Sequence, residues 1–170
     1  QLESHYGQGS TFFFEVTFMA SDELESTNEQ PQPTMVFESA ERIQVENENI
    51  KVLLAEDNKI NMLLARTLIR QIVPKATIIE AFDGLEAVEK YQSEKPEIIF
   101  MDVQMPNMNG YEATMEIRKI QTEHIPIIAL TAGTVIGERE KCLEAGMDDY
   151  ASKPIVKQTI ERIISNWIKV

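Results

Sequence analysis

Cysteine is nearly missing from this 170-residue chain. Cys142 stands alone, so no disulfide framework can form and a reducing compartment is the expected setting. Histidine is almost as scarce. His5 and His124 have no acid or nucleophile grouped around them in sequence, which leaves no histidine-centred catalytic constellation. No apolar run reaches the roughly 18 residues needed to span a bilayer, and no basic-then-apolar leader opens the chain. Positive charge is also in deficit, with 16 Lys and Arg against 28 Asp and Glu and a net charge of −12. Such a balance repels phosphate backbones and argues against nucleic acid as a partner, while leaving cations welcome. Two glycine signatures are absent as well. No G-x-G-x-x-G follows the first apolar strand of the main alternating region, and no GxxxxGK[ST] occurs, which disfavours dinucleotide binding and excludes a P-loop nucleotidase.

What is present divides into three stretches. Residues 1–19 contain "GQGSTFFFEVTF" (7–18), a glycine-spaced turn followed by an apolar strand over 11–18. Phe12, Phe14, Val16 and Phe18 share one face by period two. With no cover in sight, this strand is expected to stand unpaired and to drive self-association. Residues 20–49 hold Asp22, Glu23, Glu25, Glu29, Glu38, Glu41, Glu46 and Glu48 against Arg42, with Pro31 and Pro33 among polar residues. Low hydrophobicity with one-sided charge marks a flexible acidic linker, with a weak helical signal over 37–46. The chain does not begin with Met, and it is expected to be a piece of a longer protein.

From residue 50 to residue 170 the texture is that of a packed domain. Apolar runs at 50–57, 76–81, 97–102, 125–132 and 147–153 read as strands. Stretches with helical spacing at 60–73, 84–94, 109–121, 136–146 and 156–169 separate and follow them, with Gly146 as a helix stop. Strand–helix alternation predicts an α/β fold, a parallel sheet covered on both faces in doubly wound fashion. In such folds function gathers beyond the carboxyl ends of the strands.

Those ends carry the unusual residues. The first strand of this region ends in Glu56-Asp57, the third in Asp102, the fourth in Thr131, and the fifth in Lys153 followed by Pro154. Each alone has a plain explanation: capping acids, a turn acid, strand filler, a loop lysine. Jointly they outline a site. Three carboxylates drawn together repel one another, and a hard divalent cation relieves the repulsion. All-oxygen ligands without nearby His or Cys favour Mg²⁺ or Mn²⁺ over zinc. A carboxylate nucleophile, a metal, a lysine and a hydroxyl together suit a transferred phosphoryl group. A metal-dependent phosphatase would want a second acid two residues after Asp102, where Gln104 stands instead.

The stretches "LLAEDNKINMLLA" (53–65), "MDVQMPNMNGYEAT" (101–114), "IIALTA" (127–132) and "AGMDDYASKPI" (145–155) resemble response-regulator receiver domains, above all those of hybrid sensor histidine kinases. The resemblance covers residues 50–170. It implies a (βα)5 flavodoxin-like three-layer sandwich with strand order 2-1-3-4-5, an order for which a receiver is a standing example. It implies Asp102 as phosphoacceptor, and Glu56, Asp57, Asp102 and the backbone carbonyl of Gln104 as Mg²⁺ ligands. Lys153 would pair with phosphoryl oxygens, Thr131 would be the switch hydroxyl and Tyr150 the switch aromatic. The donor would be a phosphohistidine domain of a histidine kinase and the acceptor a histidine phosphotransfer protein. The setting would be cytoplasmic, with a membrane-anchored parent kinase, no direct membrane contact in this fragment and no nucleic acid. A receiver-like interaction module that takes no phosphoryl group is the alternative. Gly133, where many hybrid receivers have Asn, bears on phosphoryl lifetime. "LESHYGQGSTFFFEV" resembles the last glycine box and strand of a histidine-kinase ATP-binding domain, so residues 1–19 would be its remnant, too short to bind ATP.

Overall fold

A computed structural model describes residues 2–5, 9–12, 49–132 and 138–168. The chain divides into two units, Gln1–Phe37 and Glu38–Val170. In the first, β1 (Leu2–His5) pairs antiparallel with β2 (Gly9–Phe12), with Leu2 opposite Phe12 and His5 opposite Gly9. The strand that was expected to lack a partner therefore has one at its start, supplied by the residues just before the glycines. Its continuation over 13–18, the acidic linker with its helical signal over 37–46, and Gly133 lie outside the described residues.

The second unit alternates strand and helix without interruption. Its strands are β3 (Lys51–Ala55), β4 (Thr77–Ala81), β5 (Ile98–Asp102), β6 (Ile127–Thr131) and β7 (Asp149–Ser152). Its helices are α1 (Lys59–Ile72), α2 (Gly84–Glu94), α3 (Gly110–Ile120), α4 (Glu138–Glu144) and α5 (Lys157–Trp167). The strands form one parallel sheet in the order β4-β3-β5-β6-β7, which is the expected 2-1-3-4-5.

Period-two alternation decides which helix covers which face. Val52, Leu54, Ile98, Phe100, Ile128 and Leu130 pack with Met62, Ala65 and Ile69 of α1 and Ile160, Ile163 and Ile164 of α5. Their neighbours Leu53, Ala55, Ile99, Met101, Ile127 and Ala129 face the other way, onto Ala87 and Tyr91 of α2, Ala113 and Ile117 of α3 and Cys142 of α4. Strands buried on both faces must be apolar at every position, which is why they read as continuous runs. Cys142 is thus a buried packing residue on the α2, α3 and α4 face of the sheet, with the Tyr111 side chain as its hydrogen-bond neighbour.

Local chemistry sets several of the helix ends. Asn58 caps α1 by accepting hydrogen bonds from the Ile60 and Asn61 N–H groups. Asn109 and Glu112 close a reciprocal capping box on α3. After α4 the chain reverses at Gly146, whose φ of +93° is open to glycine at little cost.

Sheet order places a change of winding direction between β3 and β5, and the loops after those two strands diverge there. The opening is tightly specified. The N–H of Gly110, the first residue of α3, donates to Val103 O, and a Cβ on Gly110 would collide with the Asp102 carbonyl oxygen. Gly110→Ala must therefore push α3 or the β5 end aside. Overpacking of this kind costs about 1–3 kcal/mol, and thermal unfolding should show a lower Tm for this variant.

Candidate functional site

Backbone pairing builds the site before any side chain is considered. Asp102 ends β5 with Leu130 as its lateral neighbour, and Thr131 ends β6 beside Ser152. The Glu56 N–H donates to Ala81 O, and the Lys153 N–H donates to Thr131 O at 2.6 Å. The Val103 N–H likewise donates to Leu130 O, so the loops after β3, β5 and β7 are tied to the strand beside them, and Glu56, Asp102 and Lys153 leave the sheet at one edge. The Lys153–Pro154 peptide bond is cis.

Side chains converge there. Glu56, Asp57 and Asp102 each bring a carboxylate oxygen within 4.8 Å of the others. Glu56 and Asp102 are buried, at 1% and 4% exposure, while Asp57 is exposed. The Lys153 ammonium bridges the buried pair, 2.6 Å from Glu56 Oε2 and 2.7 Å from Asp102 Oδ2. The second oxygen of Asp102, Oδ1, accepts from the Gln104 N–H at 3.2 Å. Glu56 Oε1 accepts from Asn61 Nδ2 at 3.0 Å and from the Asn58 N–H at 3.3 Å. Glu56 Oε2 is different. It is buried, and its partner among the described residues is the Lys153 ammonium, which it shares with Asp102. A buried carboxylate oxygen in that condition, beside two further carboxylates, is suited to a cation or its bound water. The residues present therefore fit a hard divalent ion.

The electrostatics agree. Burial holds the Asp102 carboxyl above the usual aspartate range, and repulsion from Glu56 adds to it; the contact with Lys153 works against the shift without cancelling it. Burial alone would lower the Lys153 pKa, but its contacts with Asp102 and Glu56 together outweigh that and raise it. One cation shared between two buried anions leaves negative charge in excess. Added positive charge is what this site lacks.

The sequence placed most of this. Glu56, Asp57, Asp102 and Lys153 come together as expected, and Thr131, 3% exposed, sits at the adjoining strand end. Gln104 follows on the same loop as Asp102 and already engages it through its N–H. Tyr150 does not join them. It lies on edge strand β7, opposite Ala129, and is 40% exposed. Asn58, Asn61 and Gly110 also shape the site, and the strand-end pattern does not reach them. The signal for Asn61 was its polarity one turn inside an otherwise apolar helical stripe; for Gly110, a glycine immediately after an Asn cap.

The raised Asp102 pKa fixes the sign of a pH effect. Ionising Asp102 in the fold costs stability, so its contribution is greatest below the unfolded value near 3.8 and declines as pH rises through the folded value. In EDTA at pH 7, Asp102→Asn should melt above wild type, and that gain should shrink as pH falls to about 4. Mg²⁺ should raise the Tm of wild type more than that of the variant.

Comparison with known proteins meets this geometry. Residues 52–165 match the family model described as "Response regulator receiver domain". "Hybrid signal transduction histidine kinase I" of Dictyostelium discoideum is 43% identical over 126 residues, covering 69% of this chain and 7% of that protein. "Sensor protein GacS" of Pseudomonas syringae pv. syringae is 37% identical, over 69% of this chain and 13% of that one. The chain thus spans a small part of the curated relatives it matches. The receiver domain of sensor histidine kinase PA1611 from Pseudomonas aeruginosa PAO1, solved with magnesium in its active-site cleft, superposes with a TM-score of 0.65 at 37% identity, covering 71% of this chain and 98% of that one. The receiver domain of Saccharomyces cerevisiae Ssk1, solved with the histidine phosphotransfer protein Ypd1, gives 0.63 at 32% identity, over 70% and 88%. The family model over residues 52–165, the relatives and the solved structures give one answer: the chain belongs to the response-regulator receiver domain family.

Proposed function

We propose that this receiver domain accepts a phosphoryl group on Asp102 from a phosphohistidine and hands it to a histidine phosphotransfer protein or returns it to its kinase. The observation that carries this reading is the Lys153 ammonium held 2.7 Å from Asp102 Oδ2 beside an acidic cluster fit for a cation. An Asp102 oxygen attacks phosphorus, the P–N bond breaks, and the imidazole departs with the electron pair, leaving an acyl phosphate. Lys153 is already in place to follow a phosphoryl oxygen, since Glu56 and Asp102 share its charge in the resting site. The Thr131 hydroxyl, at the end of the neighbouring strand, donates to another phosphoryl oxygen. Mg²⁺ (or Mn²⁺), held by Glu56, Asp57, Asp102 and the Gln104 carbonyl, would neutralise charge on the transferred group.

A receiver must also admit a bulky partner. Beside Asn61, helix α1 exposes Ile60 at 77%, Leu63 at 52% and Leu64 at 40%. An apolar patch flanking the acidic edge supports docking of a helical phosphohistidine domain. Thr131 and Tyr150 supply the response: the hydroxyl moves toward the new charge, and the exposed ring turns inward. Residues 1–19 read as the end of a kinase ATP-binding domain, residues 20–49 as a linker and 50–170 as the receiver, in a cytoplasmic setting. The antiparallel pairing of β1 with β2 gives that N-terminal piece a sheet-like beginning of its own.

Incubation with Mg²⁺ and acetyl phosphate, followed by intact mass, tests the reading. Wild type should gain one phosphoryl group only when the metal is present, and Asp102→Asn should gain none. Lys153→Ala should retain Mg²⁺ binding but lose at least about tenfold in phosphorylation rate. An unmodified wild-type mass with both acetyl phosphate and a phosphohistidine donor would favour a pure interaction module.

A further inference from the structure

Asn61 is a residue for which the phosphoryl site has no stated use. It lies on α1, one turn after the Asn58 cap, half-buried, and its side-chain amide nitrogen is 3.0 Å from Glu56 Oε1. The same oxygen takes only a long bond, 3.3 Å, from the Asn58 N–H. The two oxygens of Glu56 therefore have divided duties. Oε1 is turned to α1 and held by Asn61, and Oε2 is turned to the site, where it meets the Lys153 ammonium that Asp102 also shares.

That division matters because Glu56 is a long acid in a buried place. A glutamate has one more side-chain torsion than an aspartate, so its carboxylate can swing unless something holds it. The strand fixes its backbone through the bond from its N–H to Ala81 O, but that bond does not fix the carboxylate. Lys153 engages Oε2, but it is shared with Asp102 and cannot hold the plane of the group. Asn61 can, because an amide N–H is directional and α1 is rigidly capped and packed through Met62 on one side of the sheet.

We infer that Asn61 is a positioning residue for cation binding: by holding Glu56 Oε1 it fixes Oε2 as the oxygen offered to a hard divalent ion. The inference rests on the phosphoryl-acceptor reading of the site. Asn61 touches neither ion nor phosphoryl group, and it acts through Glu56. Loss of such an orienting partner costs about 10–100-fold in metal affinity or activity.

The test is calorimetric titration of Mg²⁺ into wild type, Asn61→Leu, Glu56→Gln and the double variant, with Tm in EDTA recorded for each. Leu keeps the branched heavy-atom shape of Asn, at somewhat greater bulk, and removes the donor. Asn61→Leu should weaken Mg²⁺ binding by about tenfold and raise the half-saturating Mg²⁺ for acetyl-phosphate labelling in parallel, without a matching rise for acetyl phosphate itself. In the Glu56→Gln background the same substitution should add less than about twofold, because its target is already lost. A fall in Tm with Mg²⁺ affinity unchanged would overturn the inference alone and leave Asn61 a structural residue. An equal tenfold loss in both backgrounds would also overturn it. A wild type that binds no Mg²⁺ would overturn the acceptor reading and this inference with it. If Asn61→Leu fails to fold, Asn61→Ala is put through the same four-way comparison, with the same outcomes.

Discussion

One ammonium group shared between two buried carboxylates is the constraint on which the structure of this domain turns. Glu56 and Asp102 sit at the ends of neighbouring strands, out of water, where two negative charges are costly. Lys153 reaches both from a third loop. The arrangement offsets part of the cost and leaves the rest, so the site is held together yet short of positive charge. That imbalance is useful. A site fully neutralised by protein groups would have no reason to admit a cation, and one with no internal cation would be hard to fold. The raised Asp102 pKa is the mark of the remaining deficit.

The sheet exists to bring those three loops together. Residues alternating toward α1 and α5 or toward α2, α3 and α4 make a core that buries both faces. Parallel strands send all their carboxyl ends to one edge, and the order β4-β3-β5-β6-β7 opens a crevice between β3 and β5. Gly110 then lets α3 begin against the Asp102 carbonyl, closer than any side chain would permit. The chemistry and the core are therefore not separable: the residues flanking the site at 53–55, 99–101 and 127–130 are also the centre of the sheet.

Much of this was legible in the sequence. Apolar runs ending in acids at 56–57 and 102, in Thr131 and in Lys153 gave both strands and site, because in a doubly buried sheet polar residues appear only where a strand leaves the core. The helices at 60–73 and 84–94 were readable from spacing and from Pro74 and Pro96 that follow them. Side-chain partnerships were less legible. Nothing in "EDNKIN" says that the second Asn turns back onto the Glu, since that depends on the angle at which α1 leaves β3. The pairing of β1 with β2 was not legible either. The run LESH has neither strong alternation nor β-branched residues, and its partner strand decided its conformation more than its own composition did.

The central claim is that a single oxygen nucleophile at the end of β5 takes the phosphoryl group. Borohydride trapping tests it most directly. The domain is labelled with acetyl phosphate and Mg²⁺, reduced with borohydride, digested and sequenced by mass spectrometry. Reduction converts an aspartyl phosphate to homoserine at the modified position. The account predicts that conversion at residue 102 and at no other acid. Conversion at Glu56 or Asp57, or label that resists borohydride and maps to a hydroxyl or to His124, would contradict it.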